Sequence, residues 1–222
     1  DALLPAAYRW IVGQAIVCDA PDLILGGAPS TRKGVMSAGD AYASYVLLPL
    51  LNLVTHQRLL IIGAPGRGKT TLATLMALIA GGELAQIRRD TQHGHPQLTL
   101  ADLLGSPLPG NLVEAKTIDE VHVAWRGWIQ RRVKIVDEYN RIPTKTQSAL
   151  LSLMAEGYAE QLGHTIESGT SAWYLTANDD LGGGTFQVID ALRDRIDAVV
   201  RAAPFEGGQM RILADRIAER VD

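Results

Sequence analysis

The stretch "LLIIGAPGRGKTT", residues 59–71, holds three kinds of local instruction in direct succession. Leu59 to Ile62 form an apolar run of strand type. Gly63, Gly66 and Gly68 punctuate the next few residues, and "TTLATLMALIA" then repeats apolar residues at helical spacing until Gly81 and Gly82 stop it. The order is strand, glycine loop, helix, and the interval from Gly63 to Gly68, Lys69 and Thr70 is that of a phosphate-binding loop. Its glycines let backbone N–H groups converge on phosphate oxygens, and the helix N-terminus adds the positive end of its dipole. The predicted nucleotide-binding residues are Gly63, Ala64, Pro65, Gly66, Arg67, Gly68, Lys69, Thr70 and Thr71. Lys69 is expected to reach the β- and γ-phosphates and the Thr70 hydroxyl to ligate magnesium.

A second stretch, "RRVKIVDEYNRIP" (131–143), ends a short apolar run with the adjacent acids Asp137 and Glu138. Neighbouring carboxylates repel and are costly to desolvate unless something positive faces them. A metal ion with bound nucleotide supplies that partner. Asp137, read at the end of a strand beside the loop strand, holds magnesium directly or through water, and Glu138 orients or deprotonates the water that attacks the γ-phosphate. Arg131, Arg132 and Lys134 interrupt Val133, Ile135 and Val136, so this strand is less regular than the first.

Composition narrows the setting. With 222 residues, 47% of them hydrophobic and 20% charged, the chain suits one domain, or one domain and the start of another. A formal net charge of -3 gives no global attraction to nucleic acid. The single cysteine, Cys18, excludes an internal disulfide, and the five histidines fall into no zinc-ligand pattern, which fits a reducing compartment. The longest apolar stretch, "YVLLPLLNLV" (45–54), is too short to span a bilayer and is broken by Pro49 and Asn52. The chain opens on Asp1 with no secretory pattern, and a cytoplasmic location without membrane contact is expected.

The remaining segments alternate between strand and helix. "ELAQIRRD" (83–90) reads as the strand after the loop helix, and "TKTQSALLSLMAEG" (144–157) as a helix. That helix carries a capping box of Thr144 against Gln147, an apolar stripe at Leu150, Leu151 and Met154, and Gly157 as its stop. "EQLGHTIES" (160–168) reads as a hairpin turning at Gly163. "AWYLTANDD" (172–180) and "DAVVRAAPF" (197–205) are the last two strands. No internal repeat or low-complexity tract occurs.

"GAPGRGKTT", "DEYNRIP" followed by "TQSALLSLMAEG", "LTAND" and "VIDALRDRID" stand in the order and approximate spacing of the AAA+ ATPases, and most resemble the MoxR branch, over roughly residues 57–205. The resemblance implies an α/β three-layer domain with a central, mostly parallel five-stranded sheet, followed by the start of a helical lid. Its domain organisation is a nucleotide-binding core with an N-terminal extension over 1–204 and an incomplete lid over 205–222, in which the lid's sensor arginine has no counterpart. "IVGQ" (11–14) resembles the segment that packs near the adenine, and "CDAPDLILGGAPSTRKGVMSAGD" (18–40) reads as an insertion. Within that insertion "GAPSTRKG" lacks the Gly-Lys-Thr ending and is read as a turn.

Roles carried over by the resemblance extend the site. Asn178 resembles the sensor that bonds the attacking water or the γ-phosphate, although Asp179 follows it where relatives often have proline. Arg195 resembles the arginine finger that reaches a neighbouring subunit's nucleotide, with Arg193 as the alternative. Arg141 is placed toward the subunit boundary, and Thr91 is a candidate restraint on Glu138. The segments 105–128 and 160–168 resemble elements that face a central pore, which makes Trp125 and Trp128 either client contacts or core. His93, His95 and His122 are read as solvated surface rather than a metal site.

The function these readings imply is that of an ATP-hydrolysing remodelling or chaperone ATPase acting as a homo-oligomeric ring, a hexamer, on a protein client. ATP and Mg2+ are its cofactors, and a von Willebrand factor A domain protein is its implied partner. Two alternatives stand beside it, one that keeps the ring with another job and one of a different class. A nucleic-acid-linked motor using GTP or ATP would need more than the small basic cluster at Arg126, Arg131, Arg132 and Lys134. A nucleotide-gated scaffold that does not hydrolyse would have no use for Glu138. The preference for ATP over GTP rests on resemblance alone.

Overall fold

The computed structural model describes residues 3–14, 23–24, 41–108, 110, 113, 115–117, 120–178 and 193–202, and positions 211, 214, 215 and 218. The expected lid, 205–222, is therefore described only at Arg211, Ala214, Asp215 and Ala218, all helical. Most of the insertion before residue 41, with "GAPSTRKG", and Asp179 lie outside the described residues.

Helix α1 (Leu3–Gly13) comes first, and a two-residue strand β1 (Leu23–Ile24) pairs antiparallel with β2 (Ala41–Tyr42). Helix α2 (Ser44–Thr55) leads into β3 (Arg58–Ile62), and the glycine loop then opens α3 (Lys69–Ile79). After α4 (Leu84–Asp90) come β4 (Gln92–His93), α5 (Leu100–Leu104) and the antiparallel pair β5 (Gly105–Pro107) and β6 (Val123–Trp125). Strand β7 (Val133–Asp137) precedes α6 (Thr144–Ala155), the hairpin of β8 (Tyr158–Gln161) and β9 (His164–Glu167), then β10 (Ala172–Ala177) and β11 (Ala198–Arg201).

The main sheet has the order β11-β3-β10-β7-β4, with every neighbouring pair parallel. Strands covered on both faces are continuously apolar, and side chains alternate between the two layers. Leu59 and Ile61 of β3, Ile135 of β7 and Tyr174 of β10 join Ile11, Val46, Leu50 and Met76 in one core. Leu60, Val136, Trp173 and Leu175 join Trp128, Ile142, Leu150 and Leu153 in the other. A fully buried Leu or Ile contributes about 1.5–3 kcal/mol, so this two-sided burial, more than helix propensity, sets the three layers.

The expected α/β five-stranded sheet is present, three readings are corrected, and the alternatives left open for Trp128 are resolved. Residues 83–90 form a helix, because Leu84 and Ile87 recur at i, i+3 among good helix formers; only Ile87 is buried. The strand of that region is the two-residue β4, too short to show a period. Strand β10 lies between β3 and β7, so Asp137 does not stand beside the loop strand. The Thr144–Gln147 capping box does not form: Pro143 is the N-cap, and Gln147 Nε2 donates to the Ile142 carbonyl at 2.8 Å. Trp128 is core, since it is 2% exposed and its indole N–H donates to the Leu103 carbonyl. Trp125 is half-buried against the same cluster. The hairpin turns as expected, with Leu162 and Gly163 both at positive φ. Among the described residues, no helix is long and apolar enough to cross a membrane.

Candidate functional site

Parallel strands deliver their last residues to one edge of the sheet, and here β3, β10 and β7 end there in Ile62, Ala177 and Asp137. Ligands of open α/β sheets bind beyond that carboxyl edge. The loop after β3 takes its shape from its glycines: Gly66 and Gly68 both lie at φ +75°, a region L side chains rarely adopt. Gly63 is demanded by packing, because a Cβ there would come within 2.9 Å of Ala202 Cβ. Gly68 is the N-cap of α3, whose first residues are Lys69, Thr70 and Thr71. On the α2 side of the loop, the Tyr45 hydroxyl donates to the Arg67 carbonyl at 3.4 Å.

Lys69 is 7% exposed, and its Nζ donates to the carbonyls of Gly63 and Ala64 at 2.7 and 2.9 Å and to Asn178 Oδ1 at 2.9 Å. From the other end of its amide, Asn178 Nδ2 donates to Glu138 Oε1 at 2.9 Å. Glu138 Oε2 faces Arg141 Nη1 at 3.2 Å. Thr70 Oγ1 and Thr176 Oγ1 both donate to Asp137 Oδ1 at 2.6 Å, and Thr176 Oγ1 accepts the Glu138 N–H at 2.9 Å. Lys69, Thr70, Asp137, Glu138 and Asn178, predicted from separate stretches of chain, thus form one hydrogen-bonded assembly. Thr70 and Asp137 offer hard oxygen donors side by side, the donor chemistry that suits Mg2+.

Sequence reasoning missed several members. Thr176 is fully buried and ties the Asp137 carboxylate to the backbone N–H of Glu138. Its signal was a hydroxyl in the otherwise apolar run before Asn178. His93, opposite Asp137 in the parallel register, places Nδ1 3.4 Å from Asp137 Oδ2. Gly94 donates its N–H to the Asp137 carbonyl at 2.7 Å, and a Cβ there would fall 2.1 Å from the Glu138 oxygen. Nothing in "QHGHP" announced that approach. Thr91 is corrected: its hydroxyl donates to the Ile87 carbonyl within α4, while Asn178 and Arg141 contact Glu138. Arg193 and Arg195 are exposed and precede β11, at the edge of the sheet opposite the glycine loop. Among the described residues there is no group of three or more potential metal-ligating His, Cys, Asp or Glu side chains.

Comparison with known proteins adds kinship to this geometry. Residues 58–197, more than half of the chain, match the ATPase family associated with various cellular activities (AAA). YeaC, an uncharacterised protein of Bacillus subtilis, is 32% identical over 151 residues, covering 67% of this chain and 43% of YeaC. Chaperone MoxR1 of Mycobacterium tuberculosis is 27% identical over 147 residues, covering 66% of this chain and 36% of MoxR1. The chain thus spans less than half the length of either relative. In fold it resembles a protein of Cytophaga hutchinsonii described as a candidate ATPase, at 19% identity and a TM-score of 0.59 over 98% of this chain and 57% of that one. It also resembles Hsp104 in a closed state with ATPγS and casein, at 15% identity and a TM-score of 0.55 over 79% of this chain and 35% of that one.

Proposed function

This chain belongs to the AAA family of ATPases, and on that premise we propose that it binds MgATP at the glycine loop and hydrolyses it within an oligomeric ring that remodels a protein client. The observation that carries the reading is the continuous link from Lys69 through Asn178 to Glu138, set beside the Thr70–Asp137 pair. A triphosphate at the loop would meet the N–H groups of Gly66 to Thr70, and Lys69 would exchange its carbonyl partners for β- and γ-phosphate oxygens. Bound between Thr70 and Asp137, Mg2+ would neutralise charge on those phosphates. Glu138 would then accept the proton of the attacking water while Asn178 orients that water or the γ-phosphate.

Arg195, at the opposite edge of the sheet from its own loop, is suited to complete a neighbour's site rather than its own, with Arg193 as the alternative. In family members this trans arginine stabilises charge in the transition state. Chaperone work and a von Willebrand factor A domain partner are inferred from the MoxR resemblance.

The test is steady-state ATP turnover against protein concentration, with Glu138→Gln and Arg195→Ala beside the wild type. Specific activity that rises with concentration, and that both substitutions abolish while nucleotide still binds, supports the shared-site ring. Tight ATP binding with no turnover at any concentration would favour the non-hydrolysing scaffold.

A further inference from the structure

His93 is the last residue of β4, and the parallel register sets it opposite Asp137, the last residue of β7. The chain is pinned just beyond it, where the Gly94 N–H donates to the Asp137 carbonyl at 2.7 Å. The imidazole therefore stands beside the acid at the carboxyl edge of the sheet. Its side chain is 64% exposed, which agrees with a solvated histidine, yet it opens with Thr70 and Arg88 onto one groove of about 500 Å3.

The two oxygens of Asp137 are used differently. Oδ1 accepts the hydroxyls of Thr70 and Thr176, both at 2.6 Å. Oδ2 faces His93 Nδ1 at 3.4 Å. An N–H···O hydrogen bond spans roughly 2.7–3.2 Å, so this contact is too long to be a good one. A cation bonded at about 2.1 Å to two neighbouring donors holds them roughly 3–3.5 Å apart, depending on the angle between the bonds. Oδ2 and Nδ1 already stand at that span. Thr70 and Asp137 supply hard oxygens, which suit Mg2+; an imidazole nitrogen is a softer donor, and it favours first-row transition cations over Mg2+, which gives up its waters reluctantly. We propose that His93 is the cation-selecting residue of this site: its Nδ1 joins Asp137 and Thr70 as a ligand, so that the nucleotide is taken with Mn2+ or Co2+ in preference to Mg2+. With Mg2+ the imidazole stays outside the shell of oxygens, and that cation remains usable.

This inference rests on the nucleotide-binding reading of the glycine loop. Two measurements on the full chain test it. Electron spin-echo spectra of Mn2+ bound together with ADP should carry the coupling of a histidine nitrogen in the wild type, and His93→Ala and His93→Gln should each lose it. Dissociation constants of a fluorescent, slowly hydrolysed ATP analogue are then compared in Co2+ and in Mg2+. The ratio favouring Co2+ should fall at least about tenfold in both variants, the scale on which removing a group beside a metal costs affinity, while the Mg2+ value stays unchanged. The wild-type spectrum is decisive by itself, so a variant that fails to fold does not leave the question open. A merely structural role would weaken nucleotide binding equally with both cations. That result, or a wild-type Mn2+ spectrum without histidine coupling, overturns selection by His93 and leaves nucleotide binding standing. No nucleotide binding by the wild type with any of these cations would sink the reading of the loop and this inference together.

Discussion

Among the described residues two lysines are almost wholly enclosed, Lys69 at 7% exposure and Lys134 at 1%, one beyond the carboxyl edge of the main sheet and the other near its opposite edge. Lys134, on the second residue of β7, donates to the carbonyls of Arg131 and Ser168 at 2.8 and 3.3 Å and lies 5.4 Å from the centre of the Trp173 ring. Its partners are backbone oxygens and an aromatic face, and burial lowers its pKa to about 8. Lys69 also bonds two carbonyls, but its third partner is the amide of Asn178, one bond away from Glu138. Enclosure alone therefore does not distinguish a functional cation. What sets Lys69 apart, in the proposed site, is a set of partners that a bound phosphate would exchange, on the edge of the sheet where Asp137, Glu138 and the N-terminus of α3 converge.

The sharpest way to break this comparison is to remove each cation in turn. Lys69→Ala should lower ATP turnover by more than about 100-fold, the scale of losing a preorganised charge contact, with little change in melting temperature. Lys134→Met should leave turnover within about threefold of wild type, because its surroundings are structural. Steady-state kinetics and thermal melts on the same samples decide it, and a collapse of turnover in both variants would erase the distinction.

Lys134 has a signature of its own in pH. Its folded pKa lies below the unfolded value of 10.5, so between about 8 and 10.5 the unfolded chain binds more protons, and stability rises with pH across that window. Below pH 8 the whole penalty is present, no more than about 3 kcal/mol for a shift of this size. Melts of wild type and Lys134→Met from neutral pH upward should differ in slope, with the rise absent from the variant. Parallel slopes would assign the effect to another group.

Gly94→Ala probes the site edge. A Cβ 2.1 Å from the Glu138 oxygen forces the backbone to shift, which should cost about 2 kcal/mol in denaturant unfolding and reduce turnover as well. Unchanged stability would show that the Gly94–Glu138 approach is slack. The smallest effect belongs to the opposite edge, at the Arg58–Asp197 pair. Burial pushes the Asp197 carboxyl up, but hydrogen bonds from the Arg58 side chain and backbone, with its charge, hold it below the usual carboxylate range. Its stabilisation is present above that range and is lost as pH falls through the folded pKa. For so exposed a pair, Asp197→Asn should cost less than about 1 kcal/mol, seen as a shallower loss of melting temperature on acidification.

The parts of the site that were legible in the sequence share one property. Their chemistry is local: a glycine loop needs its glycines in one run, Lys69 and Thr70 come next because the helix starts there, and Asp137 and Glu138 are adjacent. The helix at 144–155, the hairpin turning at Gly163 and the strands at 172–177 and 198–201 were legible for the same reason, from periods and stop signals inside a short window. The misreading of 83–90 has the complementary cause. Its neighbouring edge strand has two residues, and a period cannot be read from two residues. Thr91 was expected at Glu138, but the side chains that contact the Glu138 carboxylate are Asn178 and Arg141, 40 and 3 residues away.

By itself, then, the sequence determined the phosphate loop, the acidic pair, the α/β alternation and the family kinship, all of which depend on residues within a few positions of one another. Only the tertiary structure decided that β10 lies between β3 and β7. That insertion carries Thr176 to Asp137 and Asn178 between Lys69 and Glu138, while the pairing of β4 with the far side of β7 brings the Gly94 backbone against Glu138. Strand order is settled by two-sided burial of the whole sheet, a non-local free energy that no short window of residues contains.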